Sequence, residues 1–310
     1  MKVAFLFPGQ GSQKPGLFLE LPGGHAVKEV LLAASEALDE NVFLHHTKES
    51  LSSTTSVQIS LLTASIAGFR AFEAEGVFPD FVAGHSVGAF SAAVAAGAID
   101  FKDAINIVKL RGELMERAYP QGYGMGVVTG MTAGILQSLV SKHHDEQYPV
   151  YISNKNAPDQ ITLSGAISAI QKILNEAREK GACSVSLLNV PVPSHCPLLS
   201  NVTAELGEAL HDIPFYRPLI PYAGNRRARL LFEAEAIRRD LAEGISYPVQ
   251  WHDMSTVLFE NGTRLFIEMP PGNVLSRLAA RALPDARIMS TTENGFDDCL
   301  FIVKHETAKY

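Results

Sequence analysis

Short apolar runs that stop at glycine or proline alternate along this chain with longer stretches in which apolar residues recur at helical spacing. Residues 3–7 form an unbroken apolar run cut off by Pro8 and Gly9, which predicts a buried strand feeding a loop. Residues 26–38 and 57–75 carry apolar positions at helical period, and each predicts a helix. Residues 81–83 predict a second short strand, followed by Gly84-His85-Ser86-Val87-Gly88 and a small-residue helix to about Ala96. Residues 101–117 predict an amphipathic helix with Asp103 near its start. Strands alternating with helices predict a parallel α/β core.

The rhythm then changes. Strands are expected at 125–129, 150–153, 161–164 and 183–188, and helices at 133–142 and 166–180, with 154–160 (NKNAPDQ) joining two of the strands. That order, β-α-β-β-α-β, is the ferredoxin-like unit. It predicts an inserted α+β subdomain at 123–188, with 1–122 and 189–310 forming one discontinuous parallel-sheet core of α/β-hydrolase type. Helices at 197–210, 233–241 and 251–260, a strand at 264–268 and a helix from Asn273 return to the core, and the polar tail after Thr291 carries no assignable pattern.

Composition narrows the classes. The 310 residues are 46% hydrophobic and 19% charged, ordinary for a chain long enough to bury a core without disulfides. A net charge of −7 argues against a general binder of nucleic-acid backbone. The three cysteines, Cys183, Cys196 and Cys299, are odd in number and lack CxxC spacing, so a disulfide framework or a zinc site is not expected. The apolar run at 3–7 is too short for a secretory signal, and 87–99 is too short for a membrane span. The expectation is a soluble cytoplasmic protein.

The strongest chemical signal is the GxSxG at 84–88, set between a strand and a helix. That context is what a nucleophile elbow requires, because the tight turn lifts Ser86 Oγ clear of the sheet. The Val87 amide would then stand at a helix N-terminus, where an oxyanion is favoured. The pattern alone also occurs by chance in glycine-bearing turns. Ten histidines could supply a base. His45-His46 and His143-His144 are adjacent pairs that read as solvated faces. His195 lies in NVPVPSHCPLL, where Pro191 and Pro193 hold an extended approach and Pro197 can begin a helix. Taken alone, a histidine there is more often structural than catalytic. The Gly-rich segments at 9–16 and 124–130 lack phosphate-loop spacing, and no metal-binding motif such as HExxH occurs.

FPGQGSQ at 7–13, GHSVG at 84–88, LRGELM around Arg111, NAPDQITLSG at 156–165, PSHCPLL around His195, YPVQW at 247–251 and PPGNVL at 270–275 stand in one order. In that order they resemble the malonyl-CoA:acyl-carrier-protein transacylases over essentially the whole chain. Within that family GHSVGAF and PSHCPLL look most like the epsilon (transacylase) subunit of malonate decarboxylase. Members of fatty-acid synthesis usually carry Glu where Ala89 stands and Phe where Ser194 stands.

The resemblance implies roles residue by residue. Ser86 would be the acyl-accepting nucleophile and His195 its base. Gln250 would orient His195 through its main-chain carbonyl. The Gln10 and Val87 amides would form the oxyanion hole, and Arg111 would bind the malonyl carboxylate as a bidentate fork. It implies malonyl-CoA and an acyl carrier protein with a phosphopantetheine-type arm as partners, with other malonate decarboxylase subunits beside them, and no cofactor in this chain. Arg226, Arg227 and Arg229, or Arg277 and Arg281, are candidate docking patches for an acidic carrier. Rival readings are the same transfer for fatty-acid or polyketide synthesis, a serine thioesterase or esterase, and a non-catalytic assembly subunit.

Overall fold

The computed structural model describes residues 1–119 and 121–307. The first stretch runs β1 (Lys2–Phe7), α1 (His25–Leu38), α2 (Thr54–Ala74), β2 (Phe81–Gly84), α3 (Gly88–Ala95) and α4 (Phe101–Ala118). The middle runs β3 (Tyr123–Thr129), α5 (Ala133–His143), β4 (Val150–Ala157), β5 (Gln160–Ala166), α6 (Ile167–Glu179) and β6 (Ser184–Leu187). The last stretch runs α7 (Ser200–His211), β7 (Tyr222–Ala223), β8 (Leu230–Leu231), α8 (Ala234–Glu243), α9 (Trp251–Glu260), β9 (Thr263–Glu268) and α10 (Val274–Ala282). It ends with β10 (Arg287–Ser290), α11 (Thr291–Asn294) and α12 (Phe296–Thr307).

Two sheets result. The larger has the order β10-β9-β1-β2-β7-β8, parallel except for the edge strand β8. β1 lies between β9 and β2 with helices on both faces, so Val3 to Phe7 are all buried and show no alternation. α2 is buried on nearly every side from Val57 to Phe72, which is why its apolar residues are not confined to one stripe. Its first turn is capped from α4, whose Glu116 carboxylate accepts from the hydroxyls of Ser53 and Thr55 and the Thr55 amide.

The smaller sheet is antiparallel, in the order β4-β5-β3-β6, and α5 and α6 pack on it around their own apolar core. The two sheets are stitched at Val249. Its carbonyl accepts from Lys155 N at 2.9 Å and its amide donates to Ser153 O at 2.9 Å. The mixed parallel core with an added antiparallel α+β sheet is the expected fold class.

Several local expectations change. The segment 154–160 is not a plain linker, since β4 runs on to Ala157 and β5 begins at Gln160, leaving Pro158-Asp159 as the turn. Its polar residues sit in strands because they line a cavity. His45 and His46 are buried rather than solvated. His46 stacks on Phe18 at 4.8 Å between ring centres, and His45 bridges Ser56 and Glu40. Residues 197–199 form a 3₁₀ turn, so α7 starts only at Ser200. The unassigned tail after Thr291 is mainly helical as far as Thr307, with Cys299 and Val303 in the core; its last three residues lie outside the described residues. All three cysteines are free. Among the described residues no helix is long and apolar enough to cross a membrane.

Candidate active site

Ser86 stands at the sharp turn between β2 and α3, with the backbone in the left-handed region at φ 56°. Two glycines make the turn possible. A Cβ on Gly84 would overlap the Gly88 carbonyl, and one on Gly88 would overlap the Phe7 carbonyl of β1. The turn therefore closes against the neighbouring strand as well as on itself. The Asn225 side chain bonds the same turn, accepting from Ser86 N at 3.1 Å and donating to Gly84 O at 2.9 Å.

His195 reaches Ser86 from the far side of the molecule's chain order. Its Nε2 lies 2.7 Å from Ser86 Oγ, and its Nδ1 lies 2.7 Å from the Gly244 carbonyl oxygen. A carbonyl can only accept, so Nδ1 carries the proton and Nε2 presents its lone pair to the serine hydroxyl. The orienting carbonyl is thus Gly244's and not, as expected, Gln250's. Gln250 precedes α9, and its carbonyl is taken by the Met254 amide at 2.9 Å in the first helical turn. Gly244 caps the C-terminus of α8, where carbonyls lack intrahelical partners and the dipole is negative. The end of a helix next to a glycine was the available sequence signal.

The partner of Nδ1 is a carbonyl rather than a carboxylate, so the site is a Ser-His pair. Burial lowers the His195 pKa to about 3, helped by the positive charge of Arg111 and opposed by the Gly244 hydrogen bond. The imidazole is accordingly neutral at physiological pH.

Arg111 projects from α4 with 3% exposure. Its Nη2 lies 3.4 Å from Ser86 Oγ, and its Nη1 donates to Gln58 Oε1 of α2 at 2.6 Å. Burial lowers its pKa to about 10, so it stays charged at neutral pH. Gln58, fully buried, fixes the guanidinium from behind; nothing in the sequence distinguished it from the core residues of α2. Among the described residues no carboxylate pairs with Arg111, so a buried positive charge stands beside Ser86.

These groups line a cavity of about 350 Å³ between the two sheets. The loop at Gln10, the α10 residues Val274, Leu275 and Leu278, and the antiparallel-sheet residues Met125, Asn154, Asn156 and Thr162 form its walls. Among the described residues the amides of Gln10 and Val87 have no hydrogen-bond acceptor, and both residues line the cavity beside Ser86. Ser194 also lines it, directly before His195. His85 is half-buried, its pKa lowered by desolvation, with Nε2 between Asn156 Oδ1 at 3.1 Å and Asn154 Nδ2 at 3.3 Å.

The expected Ser86, His195, Arg111, Gln10 and Val87 converge; Gln250 does not. The basic clusters differ. Arg277 pairs with Glu293 and Arg281 with Asp159, and Arg226 pairs with Glu243, whereas Arg227 and Arg229 are exposed and, among the described residues, form no ion pair. Among the described residues no three His, Cys, Asp or Glu side chains are arranged to hold a metal ion.

Comparison with known proteins agrees with this geometry. The acyl transferase domain family matches residues 4–299. The malonyl CoA-acyl carrier protein transacylase of Bacillus subtilis is 37% identical over 285 residues, covering 90% of each chain. That of Escherichia coli K12 is 34% identical, covering 90% of this chain and 92% of the relative. The crystal structure of FabD from Acinetobacter baumannii superposes with a TM-score of 0.93 at 34% identity, over 98% of this chain and 99% of that one. A further similar structure, at a TM-score of 0.91, is a malonyl-transacylase in complex with its type II polyketide acyl-carrier protein. A family match over nearly the full length, relatives above the 30% level and a serine and histidine in hydrogen-bond contact lead to one conclusion: the chain belongs to the acyl transferase family, among the malonyl-CoA:acyl carrier protein transacylases.

Proposed function

We propose that this protein moves malonyl groups from coenzyme A to the thiol arm of an acyl carrier protein, in two half-reactions through malonyl-Ser86. One observation carries the reading. Ser86 Oγ has a neutral imidazole nitrogen at 2.7 Å on one side and a buried guanidinium at 3.4 Å on the other. The first makes the hydroxyl a nucleophile; the second supplies a fixed positive charge for the carboxylate that distinguishes malonyl from acetyl.

In the first half-reaction the Oγ proton passes to His195 Nε2 as Oγ bonds the thioester carbon. The C–S bond then breaks, and the proton goes from Nε2 to the departing sulfur of coenzyme A. In the second, the carrier thiol gives its proton to Nε2 and its sulfur bonds the malonyl carbon. The C–Oγ bond breaks and the proton returns to Ser86. Each tetrahedral oxyanion faces the amides of Gln10 and Val87. A thioester is already activated, so a neutral base and two amide donors suffice. In this reading residues 1–122 and 189–310 are the catalytic core, and 123–188 is a subdomain forming the opposite wall. The work is cytoplasmic, where free cysteines and a coenzyme A thioester persist.

The finer reading names the acceptor as the small carrier subunit of malonate decarboxylase, with its dephospho-CoA-derived arm, other subunits performing decarboxylation. Ala89 and Ser194 support it, since they stand where fatty-acid-synthesis members usually carry Glu and Phe. The second reading, transfer to the carrier of fatty-acid synthesis, fits the relatives above equally well, since their names give an acyl carrier protein as acceptor and do not mention malonate decarboxylase.

Intact-protein mass spectrometry after mixing with malonyl-CoA or acetyl-CoA tests the donor. A malonyl adduct on Ser86, strongly preferred over acetyl, is expected; no adduct would end the proposal. Presenting the malonylated protein with each carrier tests the acceptor. Transfer only to the fatty-acid carrier would overturn the malonate decarboxylase reading and keep the transacylase.

A further inference from the structure

Asn225 lies two residues beyond β7, and its side chain is buried at 3% exposure behind the nucleophile turn. The Ser86 amide can only donate and the Gly84 carbonyl can only accept, so the two partners fix the orientation of the Asn225 amide group: Oδ1 to Ser86 N at 3.1 Å, Nδ2 to Gly84 O at 2.9 Å. One planar group thus grips both sides of His85, where the chain bends into the left-handed conformation at Ser86.

Asn225 is itself anchored. Its backbone amide donates to Asp240 Oδ2 at 2.9 Å, and the same buried carboxylate accepts from Tyr222 OH at 3.1 Å and Arg226 N at 3.2 Å. Asp240 is on α8, one helical turn before Gly244, whose amide bonds Asp240 O at 2.8 Å and whose carbonyl orients His195. A single turn of α8 therefore carries the anchor of the nucleophile at one end and the anchor of the base at the other.

We infer that Asn225 is a positioning residue for acyl transfer: through its amide it holds Ser86 in the bent conformation and, with Asp240, ties the serine to the helical turn that orients His195. It also occupies the Ser86 N–H, which leaves the Val87 N–H as the elbow amide free for an oxyanion. The inference rests on Ser86 being the nucleophile; it does not depend on the donor or the carrier.

The clamp requires an acceptor toward Ser86 and a donor toward Gly84 at this side-chain length. A neutral aspartic acid meets that pattern, with C=O and O–H in place of C=O and N–H. An ionised aspartate does not, since it opposes the Gly84 carbonyl and puts negative charge beside the developing oxyanion. The groups around this point are His85 between the two gripped residues, Asp240 under the backbone, Tyr222, the Arg226–Glu243 pair, and Arg111 and His195 across Ser86.

The test uses the full chain with Asn225→Ala, Asn225→Asp and a Ser86→Ala control. Two single-turnover rates are followed by intact mass: acylation by malonyl-CoA, and phosphonylation by a small alkyl fluorophosphonate, which needs the serine but neither coenzyme A nor Arg111. Asn225→Ala should lower both by about tenfold to a hundredfold while the malonyl-CoA concentration at half-maximal rate stays within about twofold. Asn225→Asp should be slow at neutral pH and recover as pH falls and its carboxyl protonates, a profile that loss of packing alone would not produce.

Wild-type rates for a folded Asn225→Ala would overturn the inference. So would an Asn225→Asp variant with no gain at low pH, and that profile decides the matter if Asn225→Ala does not fold. Phosphonylation of Ser86→Ala would refute the nucleophile instead. Phosphonylation of the wild type without malonyl adduct would refute the proposed substrate and leave the clamp standing.

Discussion

Ser86 and His195 share an uncommon backbone, non-glycine residues at φ 56° and 62°, but the molecule enforces it differently at each. At Ser86 most of the enforcement lies within five consecutive residues, through glycines that let the turn close against β1. At His195 no glycine adjoins. The loop is held by distant groups: His195 N donates to Ile245 O at 2.8 Å, Nδ1 to Gly244 O at 2.7 Å, and Ser164 Oγ of β5 to Ser194 O at 2.6 Å. The turn at the proposed nucleophile can be written largely in local sequence, whereas the proposed base is placed by three segments that meet only on folding.

Breaking the local half gives the largest effects. Ser86→Ala should abolish the acyl-enzyme entirely, read as no mass adduct after malonyl-CoA. Gly88→Ala should lower unfolding free energy by roughly 1–3 kcal/mol and activity with it, because the added methyl meets the Phe7 carbonyl, which is locked in the sheet. Near-normal stability and rate for Gly88→Ala would show that the turn is looser than its geometry.

Removing the base comes next. His195→Ala should slow acylation by about 10²–10⁴, and adding Ser86→Ala should cause no further loss beyond Ser86→Ala alone, since the pair acts as a unit. The same variant sharpens the electrostatic contrast. The folded His195 pKa of about 3 lies below its ordinary value, so between pH 6.5 and about 3 the unfolded chain binds a proton that the folded chain refuses. Wild type therefore loses stability as pH falls through that window. His195→Ala should lose less between pH 7 and 5 by denaturant midpoint, with His85, whose pKa is also lowered, leaving a residual slope.

Arg111→Ala should lower malonyl kcat/KM by roughly tenfold to a hundredfold, the worth of a charge-assisted hydrogen bond of about 1.5–3 kcal/mol, while sparing acetyl. Losing the guanidinium should also raise the His195 pKa, so the acid limb of the rate profile moves to higher pH. Equal losses for malonyl and acetyl would make Arg111 structural.

The smallest effect is expected at Ser164→Ala, which removes the bond to the Ser194 carbonyl. It should cost about 0.5–1.5 kcal/mol of stability and a few-fold in kcat, with KM unchanged. A shift in KM alone would mean that β5 contacts substrate rather than supporting the base.

The sequence by itself determined the elements that obey one local rule. The apolar runs of β1 and β2, the helical period of α1 and α4, and the β-α-β-β-α-β order of the smaller sheet all follow from patterns within a few residues. The GxSxG turn did too, and family resemblance then singled out His195 and Arg111. Tertiary structure decided what required distant partners. β7 and β8 are two residues each and exist only because a sheet edge receives them. His45 and His46 are buried because Phe18 and Ser56 come to them from elsewhere in the chain. The carbonyl that orients His195 is Gly244's because α8 ends there with carbonyls unspent, while Gln250's is consumed by α9. Gln58 and Asn225 look in sequence like any polar residue, and only their placement against Arg111 and Ser86 gives them a part in the proposed mechanism. Local pattern sets how a segment folds. Which hydrogen-bonding groups are left over, and what they meet, is settled by packing, because an unsatisfied donor or acceptor is identified only after every other partner has been assigned.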